Sequence, residues 1–265
     1  MDTGLRGKIA IVTGGASGIG RATVIKLAEE GAIPIYIDKD KKGGEELSEQ
    51  LKINKKPYKF IFADLRDDKK CQDAVEEIIN SYNQIDILIN NAGKNDRCDI
   101  DNTSPRQFRQ SLEGNLIHYY SMTHYCWPHL TKSKGNVVFV GSKVSLVGEG
   151  KTTAYAAAKG AINGMTRELA TKSANEKLEI RVNCILPGIV RTPLYDEYII
   201  ETYGDFEKGN REFGKRIPLS QRPTTAEEVA NTIVFLASDL SSHTTGQLIS
   251  LDGGYVHIDR SVPEY

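Results

Sequence analysis

Three residues in one stretch, Ser142, Tyr155 and Lys159, have the types and spacing to move a proton. Residues 153–174 are rich in alanine and free of proline, so they read as a helix, and Tyr155 and Lys159 fall four apart on one face of it. A free phenol has a pKa of about 10 and is a poor base near neutrality. A fixed ammonium beside it favours the phenolate and brings the group closer to working pH. Ser142 adds a hydroxyl at the end of the apolar run 135–141, which reads as a strand. Taken alone, Tyr-x-x-x-Lys more often describes a solvated helix face, and the rest of the chain has to decide.

The first element with a bearing on this is a short β-branched run, Ile9-Ala10-Ile11-Val12, followed by Thr13-Gly14-Gly15-Ala16-Ser17-Gly18-Ile19-Gly20 and a helical pattern over residues 21–30. In such a strand, turn and helix, Gly14, Gly18 and Gly20 stand where a backbone turns tightly, approaches a pyrophosphate and packs a helix on a sheet. The spacing Gly-x-x-x-Gly-x-Gly fits the generic dinucleotide fingerprint only loosely. Context comes from the next strand, residues 33–37, which ends in Asp38, about twenty residues on, where a carboxylate takes the ribose hydroxyls of adenosine. That carboxylate repels a 2′-phosphate, and Ser17 in the turn is uncharged, so the reading favours NAD. Lys39 keeps NADP open as a second cofactor, and a helix cap remains the other reading of Asp38.

Length and composition exclude several classes. The 265 residues carry 39% hydrophobic and 26% charged side chains, too apolar for a disordered chain, and no run is long enough to cross a bilayer. A net charge of -1 gives no electrostatic reason to expect nucleic acid or an anionic membrane as partner. Cys71, Cys98, Cys126 and Cys184 are scattered and the five histidines show no ligand spacing, so reduced thiols and no metal are expected. The opening residues lack the apolar core of a signal peptide, and a cytoplasmic protein is expected.

Helical patterns over 41–52, 67–82, 104–132 and 227–237 alternate with strands over 58–63, 85–89, 180–186 and 248–251. Asp64-Leu65 ends one strand near an expected adenine, Asp67 is a plausible cap, Asn90-Asn91-Ala92-Gly93 closes another strand, and Asn115 lies within the long helical region. Pro187-Gly188 opens a stretch to about residue 221 that reads as irregular. With no linker or repeat, the chain is expected to be one α/β domain over 1–265, a doubly wound Rossmann-type parallel sheet of about seven strands with helices on both faces.

These landmarks resemble the short-chain dehydrogenase/reductase family over nearly the whole chain: Thr13-Gly14-x-x-x-Gly18-x-Gly20, Asp38, Asp64, Asn90-Asn91-Ala92-Gly93, Asn115, Ser142, Tyr155-x-x-x-Lys159 and Pro187-Gly188-x-x-x-Thr192. The resemblance implies Tyr155 as base, Ser142 bonded to the reacting oxygen, and Lys159 favouring the phenolate while holding the nicotinamide ribose. It also implies Asn115 holding a relay water, Asn91, Ala92 and Gly93 lining the cofactor, Asp64 at the adenine edge, and Ile189 with Thr192 at the carboxamide. Residues 190–221 become a substrate lid, and the two long helices a homotetramer interface.

Stretches around Ser111 to Leu130, and Ser242 through Tyr255 and His257 to Arg260, are similar to the L-fucose dehydrogenase branch of that family. Asn95, Lys143 and Glu149 are polar residues beside the catalytic set, suited to a polyhydroxylated ligand but equally at home on a solvated loop. His257 reads as an exposed tail residue or as one reaching a neighbouring subunit. The expectation is an NAD-dependent oxidation of the anomeric hydroxyl of an L-fucose-like aldose to its lactone. A carbonyl reductase such as a 3-oxoacyl-acyl-carrier-protein reductase, and an NAD-binding sensor or scaffold without turnover, are the alternatives.

Overall fold

Short apolar runs rich in isoleucine and valine become strands buried on both sides. The computed structural model describes residues 1–258, and within it β1 (Ile9–Thr13), β4 (Ile87–Asn90) and β5 (Asn136–Val140) are buried at every position. With β2 (Ile33–Asp38), β3 (Lys59–Phe62), β6 (Arg181–Pro187) and β9 (Leu248–Leu251) they form a seven-stranded sheet of order β3-β2-β1-β4-β5-β6-β9. Every adjacent pair is parallel. A separate two-residue pair joins β7 (Val190–Arg191) to β8 (Thr224–Thr225).

Alternation along the strands divides the core into two layers. Ile9 and Ile11 of β1 face α3 (Asp68–Tyr82), α5 (His118–Ser133) and α6 (Thr153–Asn175), while Ala10 and Val12 face α1 (Gly18–Glu29), α2 (Lys41–Ile53) and α9 (Ala226–Ala237). Local chemistry starts the helices where the sequence indicates. Asp67 caps α3 by accepting from the Lys69 N–H at 2.9 Å, and capping boxes open α4 (Pro105–Leu112) at Ser104 and α9 at Thr225. Asp259 and Arg260, within the stretch that resembles the L-fucose dehydrogenases, lie outside the described residues.

Two expectations are corrected. Residues 104–132 form α4, a π-helical turn at Glu113–Ile117, and α5, rather than one helix. The segment 190–221 is largely ordered into α7 (Pro193–Tyr203) and α8 (Phe206–Gly214). Thr192 and Asp205 cap these helices, and Gly204, at φ 71°, ends the first of them. Both are too short for an apolar periodicity to stand out against their many polar residues.

The order of the strands reverses between β1 and β4, so helices leave on opposite faces and a crevice opens past the strand ends. One buried hydroxyl fastens that crevice. Thr13 accepts from the backbone N–H of Asn91 at 2.9 Å and of Ala92 at 3.1 Å, joining the ends of β1 and β4. Thr13→Val keeps the shape and leaves both donors without an acceptor. It should lower the unfolding free energy by about 2 kcal/mol in a denaturant titration, with the wild-type slope retained.

Candidate active site

Beyond the strand ends lies a cavity of about 1140 Å³ that runs from Asp38 and Asp64 at one end to Tyr155 and Tyr255 at the other. At the first end Gly14 and Gly18 take positive φ, at 68° and 53°, and a Cβ on Gly14 would come within 2.8 Å of the Ala92 backbone. Ser17, Gly18 and Ile19 stand on the wall at the start of α1, and Ser17 makes no side-chain cap to that helix. Gly20 lies behind the wall, where a Cβ would meet the Gly14 carbonyl oxygen at 2.0 Å; it lets α1 pack against the turn. This open backbone at a helix start suits a pyrophosphate.

Asp38 closes that end as a fixed acceptor. Its two oxygens accept from the Ala16 and Asp40 N–H groups, each at 2.9 Å. Asp64 is gripped by the Arg66 guanidinium, which holds its carboxyl down to about 2, and Leu65 is buried beside it. Asn91 donates to the carbonyl oxygens of Thr13 and Gly14 at 2.9 and 3.1 Å, so its amide braces the turn while the residue lines the cavity with Ala92 and Gly93. Pro187, Gly188, Ile189 and Thr192 form the opposite wall.

The three residues read in sequence as a proton-transfer set meet at the centre. Strand β5 delivers Ser142, whose side chain hydrogen-bonds Tyr155 on α6. Burial of the phenol pushes Tyr155 up to about 12 against the lowering pull of Ser142, with Glu149 and Asp96 adding to the rise. Lys159, expected to lower it, is not among the groups that move this phenol in the cofactor-free chain. Lys159 is itself buried and pulled down to about 8 by desolvation. Its Nζ donates to the Val140 carbonyl oxygen at 2.9 Å and to the Tyr119 hydroxyl at 3.1 Å, and stands 5.6 Å from the centre of the Tyr155 ring.

Asn115 lies in the π turn. It donates to the Ser111 carbonyl oxygen at 3.0 Å and accepts from the Lys94 N–H at 2.8 Å, fixing the loop after β4. A Cβ on Gly93 would reach 2.9 Å from its Oδ1 and 3.5 Å from Lys159 Nζ, so glycine keeps that side open.

The far end is polar and partly charged. Lys143 has a side chain only 4% exposed, ion-paired with Glu149, and its Nζ lies 4.7 Å over the Tyr255 ring. Asn95 also lines the cavity, but its Oδ1 accepts from the Arg97 N–H in a local turn. Arg97 stacks over Tyr198 of α7 at 4.6 Å and pairs with Glu201 at 3.9 Å, tying the loop after β4 to the segment across the opening. Tyr119, Tyr255, Arg97 and His118 were not visible as site residues in sequence, since no spacing rule marks them. His118, on the cavity wall, is buried and pushed down to about 4 by desolvation. His257 is exposed and hydrogen-bonded to Ser250 at 3.3 Å.

The four cysteines are free thiols, and among the described residues no group of histidine, cysteine or carboxylate side chains could hold a metal. No helix among them is long and apolar enough to cross a membrane.

The buried Lys159 ammonium has a stability cost whose sign is fixed by linkage. Below about pH 8 both folded and unfolded states carry the proton, and the cost is fully present. Between about 8 and 10.5 the folded state binds fewer protons than the unfolded one, so stability rises with pH. Lys159→Met leaves the Tyr119 hydroxyl still bonded to Val140. It should therefore stabilise the cofactor-free chain by about 1–3 kcal/mol near neutral pH. Denaturation along a pH series should show the gap closing above 10.5.

Known proteins resemble this chain in sequence and in fold. A family model described as Enoyl-(Acyl carrier protein) reductase matches residues 14–256. The L-fucose dehydrogenase of Mus musculus is 36% identical over 94% of this chain and 88% of its own. The 3-oxoacyl-[acyl-carrier-protein] reductase FabG of Thermotoga maritima is also 36% identical, over 95% of this chain and 99% of its own. Among solved structures, the Cj0485 dehydrogenase superposes with a TM-score of 0.93 at 40% identity, each chain covered in full. With its parallel sheet, its glycine turn at a strand crossover and these relatives, the chain belongs to the short-chain dehydrogenase/reductase family of NAD(P)-dependent oxidoreductases.

Proposed function

We propose that this oxidoreductase oxidises the anomeric hydroxyl of an L-fucose-like aldose to the lactone, with NAD. The observation that carries the reading is the ion pair between buried Lys143 and the more exposed Glu149, beside Ser142 and Tyr155. An acyl chain there would leave a desolvated ion pair facing methylene groups, whereas vicinal hydroxyls both accept from an ammonium and donate to a carboxylate. Relatives that act on L-fucose support it, and the equally similar acyl-carrier-protein reductase is the reading it competes with.

The cavity suits the dinucleotide. Gly14, Ser17 and Gly18 would hold the pyrophosphate, Asp38 the adenosine ribose, Asp64 and Leu65 the adenine, and Asn91, Ala92 and Gly93 the inner wall. Pro187, Gly188, Ile189 and Thr192 would flank the nicotinamide, and Lys159 its ribose. The carboxylate of Asp38 favours NAD because a 2′-phosphate beside it would be repelled. When bound, the nicotinamide supplies the hydride acceptor. Tyr155 takes the proton of the anomeric hydroxyl, Ser142 donates to the same oxygen as charge builds on it, and the Lys159 ammonium favours the phenolate. Asn115, by tethering Lys94, holds the loop that carries Gly93 and Asn95 against the reacting centre. Helices α7 and α8 exclude water when closed over the sugar.

A panel of aldoses assayed with NAD and with NADP should show cofactor reduction with L-fucose or a close stereoisomer and a preference for NAD. Reduction of a 3-oxoacyl thioester with NADPH, and no oxidation of any sugar, would move the assignment to the reductase. Tyr155→Phe should lower kcat by about 10²–10⁴-fold while NADH still binds; unchanged turnover would remove Tyr155 from the chemistry. Lys143→Met should raise KM for the sugar by about 10–100-fold with little change in cofactor affinity, the worth of a buried charge-assisted hydrogen bond. An unaltered KM would place Lys143 outside sugar recognition.

A further inference from the structure

We propose that Tyr119 is a positioning residue for the catalytic lysine, its hydroxyl holding the Lys159 ammonium so that one N–H remains for the cofactor-binding cavity. The inference rests on reading Lys159 as part of the catalytic set.

Tyr119 is fully buried at the start of α5, four residues after Asn115, so the two share a helix face. Its ring stacks on Phe139 of β5, with centroids 5.9 Å apart and planes at 11°, and meets His118 edge-on at 4.9 Å. The hydroxyl therefore has little freedom. It donates to the Val140 carbonyl oxygen at 3.1 Å and accepts from Lys159 Nζ at 3.1 Å, while Nζ also donates to Val140 at 2.9 Å. These atoms close a triangle, and Nζ lies 4.7 Å from the centre of the Tyr119 ring. Two of the ammonium's three N–H groups are thereby committed inward. The third is left for the side where Gly93 keeps space open, since a Cβ there would approach Nζ to 3.5 Å.

The surroundings of Nζ explain why a neutral acceptor matters. The titratable groups facing it are Tyr155 on its own helix, Tyr119 and His118 on α5, and Cys184 on β6. Burial keeps His118 neutral, pushed down to about 4, and the Cys184 thiol protonated, pushed up to about 12. No carboxylate pairs with Nζ among the described residues, so its charge is held by two uncharged oxygens. Tyr119 does not compete as a base. Burial keeps its phenol well above the ordinary value, and its proton is directed at an amide carbonyl that cannot carry it further.

The test is competitive labelling of the cofactor-free protein with acetic anhydride between about pH 6 and pH 11, reading acetylation of Lys159 by peptide mass. Tyr119→Phe keeps the ring and removes the acceptor. It should move the Lys159 midpoint down by about half a pH unit or more. With any sugar the panel yields, kcat should fall by about tenfold, and KM for NAD should rise as the Lys159 N–H offered to the cofactor loses its aim. An unmoved midpoint, or lost activity matched by a lost folded fraction with the midpoint unchanged, would overturn the proposal in favour of a packing role. Should Tyr119→Phe fail to fold, 3-fluorotyrosine at position 119, a weaker acceptor of nearly the same shape, decides: a smaller downward movement supports the proposal and none overturns it. The labelling readout needs no substrate, so it stands apart from the success or failure of the sugar assignment.

Discussion

An ammonium that pairs with no carboxylate among the described residues is the feature around which the centre of this protein is arranged. Lys159 lines the cavity, buried, with two neutral oxygens for partners, and each has a position set by a different layer of the fold. Val140 is the last residue of β5, fixed by its register with β6. Tyr119 comes from α5, placed by the π turn that also carries Asn115. The lysine itself hangs from α6. Sheet, π turn and helix must all be in place before the charge has anywhere to sit. A folded chain that accepts this cost retains a positive charge where a phenol and a dinucleotide can use it.

The fold was legible in sequence because its signals are local and repeated. Isoleucine and valine runs that end in Gly14, Asp38, Asn90 and Pro187 already announce parallel strands whose ends face one crevice. The turn and the Ser142, Tyr155 and Lys159 set were legible for the same reason, since each lies at the end of an element or on one helix face. What escaped lies between elements. Tyr119 acts through a hydroxyl buried among α5, β5 and α6, and in sequence it is one aromatic in a run of several. Thr13 stands in the quoted turn, yet its hydroxyl works on a segment 78 and 79 residues away. The short helices after Thr192 were hidden because they pack mainly on each other, Tyr195 and Tyr198 of one against Phe213 of the other, through a few aromatics among charged residues.

The phenol shows why the cofactor-free chain is only part of the catalytic arrangement. Burial pushes Tyr155 up to about 12, so a group suited to remove a proton is held in its protonated form. Lys159 alone does not reverse this, because two of its N–H groups are turned toward Val140 and Tyr119 and its Nζ is 5.6 Å from the ring centre. In the proposed reaction the remaining positive charge comes with the oxidised nicotinamide. In that proposal Tyr155 would be the base, and a bound oxidised nicotinamide would supply positive charge that favours its phenolate.

The cavity holds two buried lysines, and they are compensated in opposite ways. Lys143 pairs with a carboxylate, Glu149, and faces the Tyr255 ring, so the substrate end gains donors and acceptors with almost no net charge. Lys159 pairs with neutral oxygens, so the reacting centre retains its charge. An anionic ligand would be drawn by Lys143 but repelled by Glu149, and an apolar one would strip both of water without replacing it. A neutral, hydroxyl-rich ligand meets both partners at once. Under the proposed assignment the Lys143–Glu149 pair selects the substrate, the Lys159 charge serves the chemistry, and both depend on one strand: β5 ends at Val140, which accepts from Lys159, three residues before Lys143.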